Sequence, residues 1–284
     1  MDNALTIDLE DWYHVCGVGP LTEPSAGERR VHDNTTAILN LLDEFGVKAT
    51  FFVLGRVAEE EPGLVSLIAA AGHEIASHGW SHRLVPELGP QGFRDELRRT
   101  GDLLERQTGR RPGGFRAPQW SLGSSTPWAF DILREEGFRY DSSRNPLPFV
   151  GDRRGPRIPY VLDNGLWELP PLTTHCMPCN LPTGGGWGLR FFPVALISAT
   201  IRRLNRDGFP AVIYLHPREM ESQGPRLSLS FLRGYAAYGP RRSVAGRLKE
   251  LLPRFRFTTM ACLVDKWDTV SSSRRTTPLQ QFPG

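Results

Sequence analysis

The chain has few cysteines, few histidines and no long apolar run. Its four cysteines, Cys16, Cys176, Cys179 and Cys262, are too few and too scattered over 284 residues for a disulfide framework, which points to a reducing compartment. No stretch approaches the roughly 18 consecutive apolar residues that span a bilayer, so no transmembrane segment is expected. Met1 runs almost directly into the strand-like Ala4-Leu5-Thr6-Ile7, without the basic stretch and apolar core of a leader, and the expected location is cytoplasmic. Charge of one sign is also lacking: 34 Lys and Arg stand against 31 Asp and Glu. With no concentrated basic block, a nucleic-acid partner gets no support. Composition leaves the oligomeric state open.

What is present is alternation. Short apolar runs alternate with amphipathic helical stretches, the pattern of repeated β-α units around a parallel sheet or barrel. Strands are expected at Leu5 to Asp8, Lys48 to Leu54, His73 to Ala76, Phe138 to Asp141, Ala211 to Leu215 and Phe255 to Met260, with a β-like stretch at Gly114 to Pro118. Ile38, Leu41, Leu42 and Phe45 keep helical spacing behind Asp33 or Asn34 as N-cap, and Pro62 and Pro127 open further helices. Other helices are expected over about 92–107, from Val194 to Leu204 and from Val244 to Leu252. A Pro- and Gly-rich stretch at about 145–190 reads as an insertion around one strand at Leu166 to Leu169, and residues 269–284 read as a disordered tail behind a catalytic domain of residues 1–268.

The residues that carry chemistry fall at the C-terminal ends of these strands: Asp8, His78, Arg116, Asp141 and His216. That edge is where parallel α/β folds build their sites. His78 and His82 stand four apart, a spacing that puts two imidazoles on one face of a helical turn and suits a divalent metal. Without the Glu of a His-Glu-x-x-His motif, a zincin protease is disfavoured. A third ligand must come from elsewhere, and Glu10 or Asp11 is the natural donor, giving a two-His, one-carboxylate site with open positions. Strand alternation puts Asp8 and Glu10 on one face, so that one ligates while the other serves as base. Arg116 is a candidate partner for Asp8, and His216 a candidate proton donor tuned by a carboxylate such as Asp141. Trp80, Trp120 and Trp187 offer stacking surfaces, although core packing is the commoner use of each. Cys176-Met177-Pro178-Cys179 lies in the irregular stretch rather than opening a helix after a strand, which argues against a redox motif.

Taken together these residues resemble the polysaccharide deacetylases of the NodB-homology type, carbohydrate esterase family 4. Thr6-Ile7-Asp8-Leu9-Glu10-Asp11 corresponds to the first motif, His78 to His82 to the second, Arg116-Ala117-Pro118 to the third, Tyr140-Asp141-Ser142-Ser143 to the fourth and Leu215-His216 to the fifth. The spaced Asp-x-Glu-Asp, the Gly-His-Glu-Ile-Ala-Ser-His-Gly run and the C-terminal Arg-Phe-Arg-Phe-Thr-Thr-Met are similar to a subgroup associated with exosortase and exopolysaccharide gene clusters. The resemblance implies a deformed (β/α) barrel with about seven strands, a divalent metal, commonly zinc, and hydrolysis of N-acetyl groups on an N-acetylated polysaccharide or oligosaccharide. It further implies Asp8 as general base, His216 as general acid, and metal binding by His78, His82 and one acid of the first motif. That motif is unusual here, because Leu9 separates acids that are normally adjacent; Glu10 is favoured over Asp11 because alternation aims it with Asp8. Two rival readings stand beside this one: a hydrolase of non-sugar or cyclic amides, and a non-catalytic sugar-binding protein of polysaccharide assembly.

Overall fold

The computed structural model describes residues 1–14, 26–147, 150, 151, 153, 155–177, 179–239 and 244–273. Cys16 and the end of the expected tail, residues 274–284, lie outside them. The N-terminal half winds β1 (Asp2–Leu9), α1 (Val31–Glu44), β2 (Thr50–Val53), α2 (Gly55–Glu60), α3 (Pro62–Ala70), β3 (Glu74–Ser77), α4 (Val85–Thr108), β4 (Gly114–Phe115), α5 (Pro127–Glu135) and β5 (Tyr140–Asp141). The rest adds β6 (Tyr160–Val161), β7 (Trp167–Glu168), a hairpin of β8 (Thr174–Cys176) and β9 (Cys179–Leu181), α6 (Trp187–Phe191), α7 (Val194–Arg206), β10 (Val212–Leu215), α8 (Phe231–Tyr238), α9 (Val244–Leu251), β11 (Arg256–Thr258) and α10 (Met260–Ser273).

The main sheet runs β10-β1-β2-β3-β4-β5-β7-β6, with β11 also on β1, and every pairing in it is parallel except β6 with β7. The alternation predicts a parallel sheet or barrel, and the sheet is the deformed (β/α) barrel that the family resemblance implies. Among the described residues, no ladder joins its two ends. Instead the chain leaving β7 hydrogen-bonds to the free edge of β10, from Leu172 N to Val212 O at 2.8 Å and from Tyr214 N to Gly184 O at 2.8 Å. A Cβ at Gly185 would lie 2.1 Å from Tyr214 O, so the glycine run at 184–186 is needed for this close backbone approach. The stretch read from sequence as an insertion thus supplies two strands of the main sheet, the β8–β9 hairpin and the barrel's seam.

Side chains alternating into the barrel form its floor: Ala4, Phe52, Ala76, Tyr140 and Val212 pack with Met260, Leu263 and Val264 of α10. These α10 residues follow an i, i+3, i+4 pattern that sequence reading passed over. The helix continues to Ser273, beyond residue 268 where the tail was expected to begin. The largest core cluster lies outside the barrel, where α1, α2, α3, α7 and α9 cover β1, β2 and β10 with leucine, isoleucine and valine. Because one face of each strand is buried by helices and the other by the barrel floor, the open C-terminal edge is where polar side chains gather. Among the described residues, no helix is long and apolar enough to cross a membrane.

Candidate metal centre and active site

At that edge Glu10, His78 and His82 converge, with one possible ligand atom from each lying within 4.8 Å of the others. Glu10 Oε1 is 2.9 Å from His78 Nε2 and 2.8 Å from His82 Nε2. The two histidines do not share a helical turn as their spacing suggests. They lie in the loop between β3 and α4, which folds back through the left-handed residues Gly79 (φ 74°) and His82 (φ 62°). His78 Nδ1 donates to the carbonyl oxygen of Arg116 at 2.7 Å, which fixes the tautomer and leaves Nε2 as a lone-pair donor. The donor set therefore fits a divalent cation of the zinc type, with two imidazoles, one carboxylate oxygen and open positions. Burial works to raise the Glu10 carboxyl, but His82 and His78 beside it hold it well below the usual range.

Asp11 does not face this centre. Its carboxylate accepts from Trp12 N at 2.7 Å and Arg30 N at 3.1 Å, tying the chain after β1 to the start of α1. Strand alternation ends at Leu9, but a tight turn with Glu10 N bonded to Asp8 O at 2.9 Å keeps Asp8 and Glu10 aimed at the same cleft.

Asp8 is held from one side. Arg116 Nη1 donates to its Oδ1 at 2.6 Å and to Thr6 Oγ1 at 2.9 Å, while Nε and Nη2 reach the carbonyl and hydroxyl oxygens of Ser142 at 3.2 and 2.9 Å. This fork uses the guanidinium's fixed planar geometry, and Arg116 is fully buried under it. The second oxygen of Asp8 faces His216, with Nε2 3.8 Å away.

Asp141 was expected to tune His216, and the structure does not bring the two together. Asp141 takes a 2.5 Å hydrogen bond from Ser143, whose hydroxyl also accepts from Ala117 N at 2.7 Å. It shares its buried surroundings with Glu168, whose carboxyl is pushed well up by burial and the Asp141 charge. The partner of His216 is instead Glu219, three residues on. Its Oε2 accepts from His216 N at 3.0 Å and lies 3.4 Å from Nδ1, while Arg190 Nε stands 3.2 Å from Oε1. Burial opposes the charge, yet His216, Arg190 and Arg218 pull the Glu219 carboxyl down to about 2. Arg218 in turn donates from Nη1 to Glu10 Oε2 and to His14 O, both at 3.0 Å. Glu219 was legible in principle, since His216-Pro217-Arg218-Glu219 has the capping-box spacing of a residue that ends a strand and opens a turn. Arg190 and Arg218 carried no such signal.

The cleft over these groups measures about 220 Å³ and is walled by Trp120, Trp187 and Tyr214. Trp80 is not among its lining residues; it is buried, with the Arg99 guanidinium 3.5 Å from its ring centroid. Gln119 (φ 55°) and Trp120 (φ 56°) are left-handed in succession, which turns Trp120 edge-on to Tyr214 at 5.0 Å. Non-glycine residues in that region carry strain of about 1–3 kcal/mol each, and strain of this kind gathers at functional sites. Among the described residues, all three such positions, His82, Gln119 and Trp120, lie at this one place.

Residues 21–140 match the family described as polysaccharide deacetylase, and residues 142–265 match a domain of unknown function, DUF3473. His78, His82 and Arg116 fall in the first match; His216, Arg218 and Glu219 fall in the second; Asp8 and Glu10 precede both. The boundary thus cuts through one sheet and one cleft. A peptidoglycan-N-acetylglucosamine deacetylase of Bacillus cereus is 36% identical over 123 residues, covering 39% of this chain and 45% of that protein. The chain spans less than half the length of such curated relatives. A solved Mycobacterium smegmatis structure described as a polysaccharide deacetylase superposes with a TM-score of 0.59 at 25% identity, over 88% of this chain and 81% of that one. Puue allantoinase superposes with a TM-score of 0.63 at 18% identity, over 94% and 89%, a likeness of fold alone.

Proposed function

We propose, from a chain whose residues 21–140 match the polysaccharide deacetylase family, a metal-dependent hydrolase that removes acetyl groups from N-acetylhexosamine units of a polysaccharide or oligosaccharide. The observation that carries this reading is that Asp8 and His216, 3.8 Å apart, line one cleft with Glu10 and His78 of the Glu10–His78–His82 cluster. Glu10, His78 and His82 hold the cation, for which zinc suits the donor set. When bound, such an ion polarises the acetyl oxygen and lowers the pKa of water to about 7.

The chain's own residues do the rest. Asp8, with Oδ1 locked by Arg116, presents Oδ2 to the cleft and takes a proton from the water that adds to the acetyl carbon. His216 delivers a proton from Nε2 to the amine nitrogen as the C–N bond breaks, leaving acetate and a free amino sugar. Glu219 holds the opposite edge of the ring, so that Nε2 stays turned to the cleft. Trp120, Trp187 and Tyr214 give flat faces against which a pyranose ring stacks. Asp141 acts at a distance, through Ser143 and the backbone that follows Arg116.

The test is acetate release by zinc-loaded protein from N-acetylated chito-oligosaccharides and peptidoglycan fragments, run beside small cyclic amides. Release from the glycans alone is expected. Turnover of the cyclic amides alone, or glycan binding without release, contradicts the proposal.

A further inference from the structure

The turn that follows β10, His216-Pro217-Arg218-Glu219, sends three of its four side chains into the site. His216 faces Asp8, Glu219 holds the His216 ring, and Arg218 reaches Glu10. The first two have a part in the proton transfer to the leaving amine. Arg218 is needed for neither proton transfer, yet only 13% of its side chain is exposed and it lines the cleft beside Glu10 and His78.

Its contact divides the Glu10 carboxylate. Oε1 faces both imidazoles, His78 Nε2 at 2.9 Å and His82 Nε2 at 2.8 Å, while Oε2 accepts from Arg218 Nη1 at 3.0 Å. The same Nη1 donates to His14 O at 3.0 Å, which ties the guanidinium to the chain just beyond Glu10. Asp8 is divided in the same way, with Oδ1 on Arg116 and Oδ2 towards His216. Each of these two acids thus offers one oxygen to the cleft and gives the other to an arginine. A carboxylate binds a cation through one oxygen or through both. An ion of the zinc type with three protein ligands keeps room for water or substrate only while each ligand takes one position. A guanidinium on Oε2 occupies the lone pairs that the two-oxygen mode needs, and its charge repels a cation that shifts towards that oxygen.

We propose that Arg218 is a positioning residue that holds Glu10 as a one-oxygen metal ligand and so keeps a coordination position free for the reaction. The inference rests on the reading of Glu10, His78 and His82 as metal ligands. Because Arg218 and His216 share one turn, the same contact sets the proton donor at a fixed place beside the metal cluster.

The test is cobalt substitution of the full chain, read by visible absorption, together with calorimetric zinc titration and acetate release from an N-acetylated chito-oligosaccharide. Wild type should show the intense visible bands of a low-coordinate cobalt site. Arg218→Met keeps an unbranched stem and removes both charge and donors, which frees Oε2. Its bands should weaken as coordination rises, zinc should bind at least as tightly as in wild type, and acetate release should fall about 10- to 100-fold. Arg218→Lys, which restores a positive donor at Oε2, should recover the wild-type bands. Arg218→Gln takes the place of the Met variant if circular dichroism shows the latter unfolded. Unchanged bands in the folded Met or Gln variant, or zinc affinity lost in step with activity, would make Arg218 an ordinary structural ion pair and overturn the proposal, as would weak bands already in wild type. Strong wild-type bands that respond to Arg218 as described, without any acetate release, support the proposal and remove the deacetylase reading instead.

Discussion

The carbonyl oxygen of Arg116 lies 2.7 Å from Nδ1 of His78, while the guanidinium of the same Arg116 lies 2.6 Å from Asp8. One residue thus orients a candidate metal ligand through its backbone and the candidate base through its side chain. The two functions separate on mutation, because a backbone carbonyl survives any substitution. Arg116→Lys keeps a charge but loses the planar fork shared by Asp8, Thr6 and Ser142. We expect metal content to stay near wild type while kcat falls about 100-fold, the cost of a misplaced base. Metal analysis and acetate release on the same preparation check both halves.

Asp8→Asn removes the proton acceptor and keeps the shape. Acetate release should fall by about 10²- to 10⁴-fold, as loss of a general base does, with metal binding intact. Loss of metal together with activity would move Asp8 into the ligand set.

Glu219→Gln keeps the hydrogen-bonding shape beside His216 and removes the buried charge. Arg190, 3.2 Å away, then loses its counter-charge, which makes a modest loss of stability part of the expectation. The kcat should drop about 100-fold with KM little changed, because the ring is still held but loses the negative charge that steadies it as it delivers the proton. Metal content should not move, since Glu219 touches none of Glu10, His78 or His82 directly.

A stability prediction lies far from the site. His73 accepts a hydrogen bond from Ala49 N at Nδ1, 3.1 Å, and burial with the Lys48 charge lowers it from 6.5 to about 4. The unfolded chain then binds the extra proton more readily than the folded one between these values. Stability from this residue is complete above pH 6.5 and is lost as pH falls towards 4, by up to about 3 kcal/mol. In denaturant melts, the advantage of wild type over His73→Phe should shrink from pH 7.5 to pH 4.5; a constant difference would contradict it.

Much of this arrangement was legible in the sequence because it depends on local rules. Short apolar runs identified β1 and β2, Pro62 and Pro127 marked helix starts, and strand ends predicted where Asp8, His78, Arg116 and His216 would gather. What sequence could not supply was backbone geometry set by tertiary packing. The four-residue spacing of His78 and His82 fits a helical turn as well as it fits the left-handed loop that brings them together. Asp141 stands in the expected motif position, yet β5 aims it at Ser143 and Glu168 rather than across the barrel at His216. The glycines at 184–186 looked like loose chain because their purpose, contact with the β10 edge, involves a strand almost thirty residues away. The carboxylate choice in the first motif turned on one feature, the end of β1 at Leu9, after which Asp11 swings to the Arg30 amide.

The central claim, a metal held by Glu10, His78 and His82 between Asp8 and His216, is tested most directly by an anomalous difference map from zinc-loaded crystals. The account predicts one strong peak about 2.0–2.2 Å from Glu10 Oε1 and from Nε2 of each histidine, with Asp11 still on the Arg30 amide. A peak coordinated by Asp11, or one that leaves either histidine free, would contradict it.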